Sequence, residues 1–264
     1  MLELQRVHKI FNEGTLDEKI ALDDIHLSLE KGDFVTIIGS NGAGKSTLMN
    51  IISGVLTPDT GYVKINGENV TSMPEYRRSR FIGRVFQDPM AGTAPSMTIE
   101  ENLAMAYSRT NKRSLRLGVT KKRREFFRQS VASLHLGLEE RLNAKVGLLS
   151  GGERQAISLL MATFTQPEIL LLDEHTAALD PARGKLITEL TREIVEKSNL
   201  TTLMVTHNMQ QALELGNRLI MMDKGQIILD IREKEKKELT IEDLMDEFQK
   251  IRGEKLASDR TLLA

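Results

Sequence analysis

The residues from Gly39 to Ser46 have the types and the spacing that bind a phosphate chain. They read Gly-Ser-Asn-Gly-Ala-Gly-Lys-Ser and fit the pattern G-x-x-x-x-G-K-[ST]. Glycines let the backbone turn successive N–H groups toward one anion, the lysine supplies a cation for the β- and γ-phosphates, and the last hydroxyl can ligate Mg²⁺. We therefore predict that Ser46 is a metal ligand, that Thr47 donates to the α-phosphate, and that the nucleotide is contacted by Gly39, Ser40, Asn41, Gly42, Ala43, Gly44, Lys45, Ser46 and Thr47.

A second group that could do chemistry is the acidic pair Asp173 and Glu174. The pair directly follows the aliphatic run 170–172, which predicts a buried strand. Nucleotide hydrolysis needs one carboxylate for the Mg²⁺ shell and one to orient and deprotonate water. By itself such a pair is also typical of a solvated turn, but a phosphate-binding loop in the same chain favours the catalytic interpretation. We assign Asp173 to the metal and Glu174 to the water.

A third segment, Leu149–Gln155, combines a helix start with two adjacent glycines. Ser150 and Glu153 have the spacing of a capping box, which alone predicts an ordinary helix N-terminus. Gly151 and Gly152 are unfavourable in a first helical turn, and the cap does not require them. A backbone that must approach a phosphate closely would require them.

The elements that position these groups follow from the hydrophobic pattern. Apolar runs predict buried strands at 34–38, just before the phosphate loop, and at 82–86, 168–172, 201–206 and 219–222. Alternating patterns and turn residues predict half-exposed strands at 2–7, 25–29 and 61–66. Together they indicate an α/β fold of the P-loop NTPase type, with a mostly parallel core sheet and an added antiparallel β subdomain. The ligand crevice is expected at the carboxyl ends of the parallel strands.

Helical patterns dominate from 88 to 165 and predict an inserted α-helical subdomain, in which Thr98 and Thr120 cap helices. The run 111–124 is rich in Lys and Arg and has no acidic residue. It fits either a solvated basic loop or a contact with acidic partner loops or lipid headgroups. We expect the main domain to span 1–230. A charged C-terminal extension follows at 231–264, with one amphipathic helix at 240–251 and a loose tail at 253–264.

Composition narrows the function classes. The formal net charge is −1 and the sequence pI is about 6.6, so nucleic acid is not an expected partner. The absence of cysteine excludes disulfides and thiol catalysis. The N-terminus lacks the apolar core of a signal peptide, and no apolar run approaches the ~18 residues of a membrane span. Action at a membrane would therefore require docking onto another protein.

These segments resemble, in the same order, the motifs of ATP-binding subunits of ATP-binding-cassette (ABC) transporters, over about residues 1–230. Gly39–Ser46 resembles the Walker A loop, and Ile169–Glu174 resembles the Walker B strand with its catalytic glutamate. The other matching positions are the Q-loop glutamine Gln87, the signature motif Leu149–Gln155, the D-loop Ala177–Asp180, the switch histidine His207 and the adenine-stacking aromatic Phe11.

The resemblance implies the ABC ATPase fold, ATP and Mg²⁺ as cofactors, and a second ATP-binding subunit in a homodimer. Each ATP would lie between the phosphate loop of one copy and the signature motif of the other. Gln87 would ligate Mg²⁺ or sense the attacking water, and His207 would contact the γ-phosphate. The second copy would contribute Ser150, Gly151, Gly152, Glu153 and Asp180.

Three positions depart from the family pattern. Glu153 stands where the signature motif usually has Gln, and we expect activity to survive this change. His175 replaces the usual Pro after the catalytic glutamate, and Ala177 replaces the usual Ser of the D-loop. Both flank the expected interface between subunits, so they are predicted to alter coupling more than ATP binding.

The segments 86–95 and 173–180 resemble bacterial importer ATPases that work with a substrate-binding protein, some linked to aromatic amino acids such as tryptophan or tyrosine. The prediction is therefore an ATPase at the cytoplasmic face of the membrane, bound peripherally to a separate integral membrane permease. The ATPase of an exporter or a lipoprotein-extraction system is the alternative. A soluble ABC ATPase acting on DNA or ribosomes is less favoured, because the chain has one cassette and too short an insertion for a long coiled coil.

Overall fold

The computed structural model describes residues 1–109 and 118–252, with the backbone alone for 250–252. Its strands are β1 (Leu2–Phe11), β2 (Lys19–Leu29), β3 (Phe34–Gly39), β4 (Thr60–Ile65), β5 (Glu68–Asn69), β6 (Ile82–Val85), β7 (Ile169–Asp173), β8 (Thr201–Val205), β9 (Arg218–Asp223) and β10 (Gln226–Arg232). Its helices are α1 (Lys45–Ser53), α2 (Glu75–Arg78), α3 (Ile99–Ser108), α4 (Lys121–Ala132), α5 (Gly151–Thr163), α6 (Pro181–Ser198), α7 (Met209–Glu214), α8 (Glu233–Glu238) and α9 (Ile241–Arg252).

The chain divides into two compact units, and each is described by itself. The first unit comprises Met1–Arg78 and the chain from Thr201 onward, and the second unit comprises Ser79–Leu200. None of the helices in the described ranges is both long and apolar enough to cross a membrane. The predicted domain boundaries at 88–165 and 230 differ from this division, and they stay predictions about a functional subdomain.

The first unit contains two groups of strands. The antiparallel group has the order β2-β1-β4-β5, and β1 pairs with both β2 and β4. In the other group β3 runs parallel to β8 and β9, and β10 is antiparallel to β9. Every residue of β3 is buried, as expected for a parallel strand covered on both faces. The phosphate-loop segment therefore leaves the end of a fully buried strand.

Helix α1 is fixed at its C-terminal end by Arg78. This side chain is only 1% exposed, and its guanidinium donates to the carbonyl oxygens of Ile51 and Ile52, at 2.5 and 3.0 Å. Burial lowers the pKa of Arg78 to about 10, which still leaves it charged at neutral pH. Because a cation at a helix C-terminus satisfies carbonyl groups that have no partner within the helix, Arg78 stabilises α1.

The second unit contains the parallel pair β6 and β7 and the helices α3 to α6. The register pairs Ile82 with Ile169 and Val85 with Leu172, so both strands end at the same edge. The helical part is held together by an aromatic cluster whose ring centroids lie 5.3 to 6.1 Å apart, formed by Tyr107, Phe126, Phe127 and Phe164. Five of the six ring pairs are edge-to-face, a preferred geometry for aromatic pairs, and the pair Phe126–Phe127 is tilted.

The predicted α/β class with an antiparallel β subdomain is confirmed. The strands β1 and β2 are longer than the alternation suggested, and β6 ends at Val85 rather than at 86. The strand β10 and the helix α8 were not predicted. The sequence also did not reveal that α9 belongs to the core of the first unit, where Leu244 and Phe248 are buried with Ile38. Part of the basic run, 111–117, and the tail 253–264 lie outside the described residues.

Candidate functional site

At two positions, the backbone of the phosphate-loop segment has a conformation and surroundings that only glycine can accommodate. Gly39 has a φ of +154°, and a Cβ there would lie 2.2 Å from the carbonyl oxygen of Met222. Gly44 has a φ of +101°, and its Cβ would lie 2.4 Å from the carbonyl oxygen of Ala21. Both contacts are far inside van der Waals distance. The two glycines therefore let the loop lie directly against β9 and β2.

Helix α1 starts at Lys45 without a side-chain cap. Its N-cap residue is Gly44, and no acidic residue lies in its first turn. By contrast, the helices α3 to α7 begin at Thr98, Thr120, Ser150, Asp180 and Asn208, and each of these side chains accepts a backbone N–H. The first-turn amides of α1 and its positive dipole end thus form an environment suited to an anion.

Lys45 is folded back across the loop. Its side chain is buried, and Nζ donates to the carbonyl oxygens of Gly39 at 2.7 Å and Ser40 at 3.0 Å. These contacts hold the cation over the loop, as a phosphate-binding lysine requires. Asn41, Gly42 and Ser46 are exposed, Thr47 is half-buried, and Ala43 is buried. The predicted loop residues thus divide into a buried scaffold and an exposed contact surface.

The turn between β9 and β10 supports the loop from behind. Asp223 accepts a hydrogen bond from Ser40 Oγ at 3.0 Å, and the amide of Gly225 donates to the carbonyl oxygen of Ala43 at 3.1 Å. The carbonyl oxygen of Gly225 accepts in turn from the amide of Asp23 at 2.9 Å. Sequence reasoning missed this support. A Lys-Gly turn between two strands was the available signal, but β10 itself had not been predicted.

Two further predicted residues lie in the first unit. Phe11 is half-buried at the end of β1, with the ammonium of Lys9 5.8 Å from its ring centroid. His207 is half-buried two residues after β8 ends. Because β3 and β8 are parallel, with Ile37 opposite Val205, His207 follows the same sheet edge as the phosphate loop. The first unit thus carries the phosphate loop, an aromatic ring and His207, and the parallel strands β3 and β8 place the loop and His207 at one sheet edge.

The second unit carries the acidic pair. Asp173 ends β7, and its Oδ2 lies 3.1 Å from Nη2 of Arg84 on β6. Both side chains are mostly buried, at 17% and 13% exposure. Glu174 has a φ of +46°, a left-handed conformation uncommon for residues other than glycine. Gln87 is exposed just beyond the end of β6, at the same edge of the parallel pair as Asp173 and Glu174.

His175 is enclosed within the second unit. It is 1% exposed, and its Nε2 lies 3.0 Å from Thr191 Oγ1 on α6. Burial lowers the pKa of His175 to about 4, so the ring is neutral at physiological pH. Ala177 is exposed. Of these two departures from the family pattern, the histidine therefore acts through packing on α6, and the alanine changes the surface.

The signature segment begins α5 with the predicted capping box. Glu153 Oε2 accepts from the amide of Ser150 at 2.7 Å, and Ser150 Oγ accepts from the amide of Glu153 at 3.3 Å. Arg141 lies 3.2 Å from the other carboxylate oxygen of Glu153. The hydrogen bond from the Ser150 amide lowers the pKa of Glu153 and keeps it ionised. The glutamate therefore has a local structural role in place of glutamine.

The two signature glycines have a packing role that sequence reasoning missed. A Cβ on Gly152 would lie 3.1 Å from Arg183 Cδ, and a Cβ on Gly151 would lie 3.3 Å from Leu179. Asp180 caps α6 by accepting from the amide of Arg183 at 3.2 Å. The start of α6 thus lies against the first turn of α5, and this packing is a reason for glycine that is independent of the predicted approach to a phosphate.

Two side chains of the predicted signature segment, Arg154 and Gln155, make contacts that the sequence did not reveal. The guanidinium of Arg154 donates to the carbonyl oxygens of Val146, Gly147 and Leu149 at 2.9 to 3.2 Å. Gln155 is fully buried, and its Nε2 donates to the carbonyl oxygen of Phe86 at 3.1 Å. Since Phe86 precedes Gln87, this bond ties the signature helix to the Q-loop. No local pattern marks such long-range contacts.

Comparison with known proteins places this geometry in a family. A family model described as ABC transporter matches residues 22–177. A tyrosine transport ATP-binding protein of Clostridioides difficile is 43% identical over 249 residues, covering 94% of this chain and 99% of the relative. A xylose/arabinose import ATP-binding protein of Sulfolobus acidocaldarius is 36% identical, covering 93% of this chain and 92% of the relative.

Solved structures agree with the sequence relatives. A dimeric ATP-binding cassette in a post-hydrolysis state with ADP and phosphate superposes with a TM-score of 0.75 at 29% identity, covering 88% of this chain and 98% of the other. The ADP conformation of another ABC transporter cassette gives a TM-score of 0.76 at 28% identity, covering 96% and 99%. The predicted ABC ATPase fold is therefore confirmed, and the chain belongs to the ABC transporter family as an ATP-binding subunit that hydrolyses ATP.

Proposed function

We propose that two copies of this chain bind two ATP molecules and that ATP hydrolysis drives a separate membrane permease for uptake of a small solute. The observation that carries the proposal is the phosphate loop, in which a buried, oriented Lys45 stands over an uncapped helix start. In each site the phosphate loop of one copy faces the signature segment of the other. A solved cassette with the same fold is described as dimeric, which supports this arrangement.

The predicted site residues of the first unit bind different parts of ATP. The backbone amides from Gly42 to Thr47 and the ammonium of Lys45 bind the phosphates. The ring of Phe11 stacks on the adenine, since it is half-exposed and aromatic. His207 binds the γ-phosphate, because it follows the strand next to β3 at the same sheet edge.

The residues present fit Mg²⁺, which is a hard cation and prefers oxygen ligands. Ser46, Asp173 and Gln87 offer a hydroxyl, a carboxylate and an amide oxygen. The Asp173 carboxylate already faces a positive charge, that of Arg84, so it is oriented for a cation. No group of three or more His, Cys, Asp or Glu in the described ranges is arranged to hold a metal alone. Ser46, Asp173 and Gln87 would hold Mg²⁺ together with the nucleotide, and the cation would neutralise negative charge on the phosphates.

Hydrolysis depends on Glu174, with Gln87 as a second contact to the water. Glu174 directly follows the last residue of β7 and has a left-handed backbone, a strained conformation of the kind that occurs at active sites. Glu174 orients the attacking water and accepts its proton. Ser150, Gly151, Gly152, Glu153 and Asp180 of the second copy complete the site.

The proposed import role and substrate come from the relatives. Several are named for import or transport of amino acids, sugars or other small solutes, and one is named for tyrosine. We therefore propose uptake of an amino acid, with tyrosine or another aromatic amino acid as first candidates. The chain would act at the cytoplasmic face of the membrane with an integral permease, and a substrate-binding protein would deliver the solute.

Two variants test the ATP site. Lys45→Ala should abolish measurable ATP binding in a direct titration. Glu174→Gln should bind ATP without cleaving it and accumulate as a dimer, measured by size-exclusion chromatography with light scattering. The control is Glu168→Gln, the same change just before the opposite end of β7, which should hydrolyse ATP normally. Normal turnover by Glu174→Gln would overturn the catalytic assignment.

The transport role is tested separately. The subunit should copurify with a polytopic membrane protein, and vesicles containing both should take up radiolabelled tyrosine when supplied with ATP and the binding protein. Outward movement of solute would instead establish an exporter.

A further inference from the structure

A second cation lies beside the phosphate loop. Lys19 is the first residue of β2, and the register places it opposite Phe11 at the end of β1. A Cβ built on Gly42 would lie 3.5 Å from Nζ of Lys19. The ammonium therefore reaches the exposed middle of the loop from the strand pair that carries Phe11. Nothing in the sequence motifs indicated this residue.

The Lys19 ammonium is not held by a carboxylate. In residues 1–109 and 118–252, Lys19 forms no ion pair. The neighbouring lysine on β1, Lys9, is held by Asp59 at 2.6 Å. The adjacent carboxylate, Glu18, accepts from the amide of Gly14 at 2.7 Å and so has a partner in its own turn. An exposed lysine has considerable rotamer freedom, so its position beside the loop leaves it able to bind an anion there.

The positions of Phe11 and the loop restrict what that anion can be. Lys19 is next to Phe11 by strand register and next to Gly42 by side-chain reach. A nucleotide whose base stacks on Phe11 and whose phosphates enter the loop would pass the Lys19 ammonium. Gly42 has no side chain and a φ of +81°, so nothing at that position separates the ammonium from the phosphates.

We infer that Lys19 is a further nucleotide-binding residue, whose ammonium contacts the phosphate chain together with the amides of the loop. The inference rests on the proposed ATP site in the first unit. Lys45 approaches the phosphates from within the loop and is held by Gly39 and Ser40, whereas Lys19 approaches from the antiparallel strands. The two cations would thus flank one polyanion, which favours nucleotides with more phosphates.

The test is direct ATP binding by Lys19→Met, measured by calorimetry without hydrolysis. We expect the affinity to fall roughly tenfold, the low end of what a hydrogen bond between charged groups contributes, because the site is exposed. Lys19→Arg should bind like the unmodified chain. The matched control is Lys31→Met, an exposed lysine roughly 30 Å away past the other end of β2, at ~3.3 Å per strand residue. Lys31→Met should bind ATP normally.

Salt and ligand series give the remaining outcomes. The difference between Lys19→Met and the unmodified chain should shrink at high salt, and it should be absent for adenosine, which has no phosphate. An equal loss for ATP and adenosine would overturn the phosphate contact. Unchanged ATP affinity in Lys19→Met, with binding abolished in Lys45→Ala, would refute the role of Lys19 and leave the proposed site standing. Unchanged binding in Lys45→Ala would refute the proposed site itself.

Discussion

The ion pair between Arg84 and Asp173 leads to a quantitative prediction about both stability and metal binding. Arg84→Met keeps the apolar stem but removes the charge, which leaves the mostly buried carboxylate of Asp173 without its cation. It also removes the contact of the guanidinium with the Phe86 ring, at 4.7 Å from the centroid. A hydrogen bond between charged groups contributes about 1.5–3 kcal/mol and a cation–π contact about 0.5–1 kcal/mol, so the expected loss in the free energy of unfolding is about 2–4 kcal/mol.

Although Arg84→Met should lower the stability, it should raise the affinity of the site for Mg²⁺. Without Arg84, the Asp173 carboxylate has no competing cation, so less Mg²⁺ should be needed for half-maximal ATP binding. Stability is measured by urea unfolding without nucleotide, and metal affinity is measured by titrating Mg²⁺ at fixed ATP.

The control is Arg128→Met, which breaks the exposed pair with Glu140 in the same unit and should cost less than about 1 kcal/mol. If the two variants lose equal stability, the buried Arg84–Asp173 pair contributes no more than an exposed pair, and the prediction is wrong. An unchanged or raised Mg²⁺ requirement in Arg84→Met would refute the proposed competition.

Three further predictions concern packing and pH. A Cβ at Gly152 would lie 3.1 Å from Cδ of Arg183, so Gly152→Ala should gain less than the roughly 1 kcal/mol that alanine contributes over glycine in a helix, and Arg183→Ala should restore the missing gain in a double-mutant cycle by urea unfolding. Burial lowers the pKa of His175 from 6.5 to about 4, so the folded chain binds fewer protons than the unfolded chain and loses stability as the pH falls through this range. His175→Gln should remove this dependence of the melting temperature on pH. Burial lowers the pKa of Lys236 from 10.5 to about 8, so stability should rise with pH between these values, and Lys236→Met should flatten the rise.

The phosphate loop could be predicted because its chemistry is local. The eight residues Gly39–Ser46 must provide amides, a cation and a hydroxyl within a single turn. This requirement determines the residue types at fixed positions in the sequence. The capping box of Ser150 and Glu153 was predictable for the same reason, and the structure contains both of its hydrogen bonds. Predictions of this kind depend on a few consecutive residues and hardly at all on register.

The supports around the site could not be predicted, because they depend on which distant strands become neighbours. Asp223 reaches Ser40 only because β9 pairs with β3, and no spacing connects residues so far apart in sequence. The charge-rich stretch after β10 was predicted only as a charged C-terminal extension with one amphipathic helix. In the structure its Lys236 is buried, and the ammonium donates to the carbonyl oxygens of Leu215 and Gly216 and so anchors α8. Hydrogen bonds to distant carbonyl groups therefore allow a charged side chain of this polar segment to be buried.

The signature glycines Gly151 and Gly152 have to be explained both by local chemistry and by long-range packing. Chemistry alone explained Gly151 and Gly152 as a backbone that must approach a phosphate, while the structure shows that Gly152 also gives Arg183 room to pack. Arg183 belongs to the helix that Asp180 caps, so the D-loop and the signature helix hold each other in place within the second unit. A substitution at Gly152 should therefore disturb the D-loop even before nucleotide binds, and loss of activity in such a variant cannot be assigned to phosphate contact unless its unfolding free energy is unchanged.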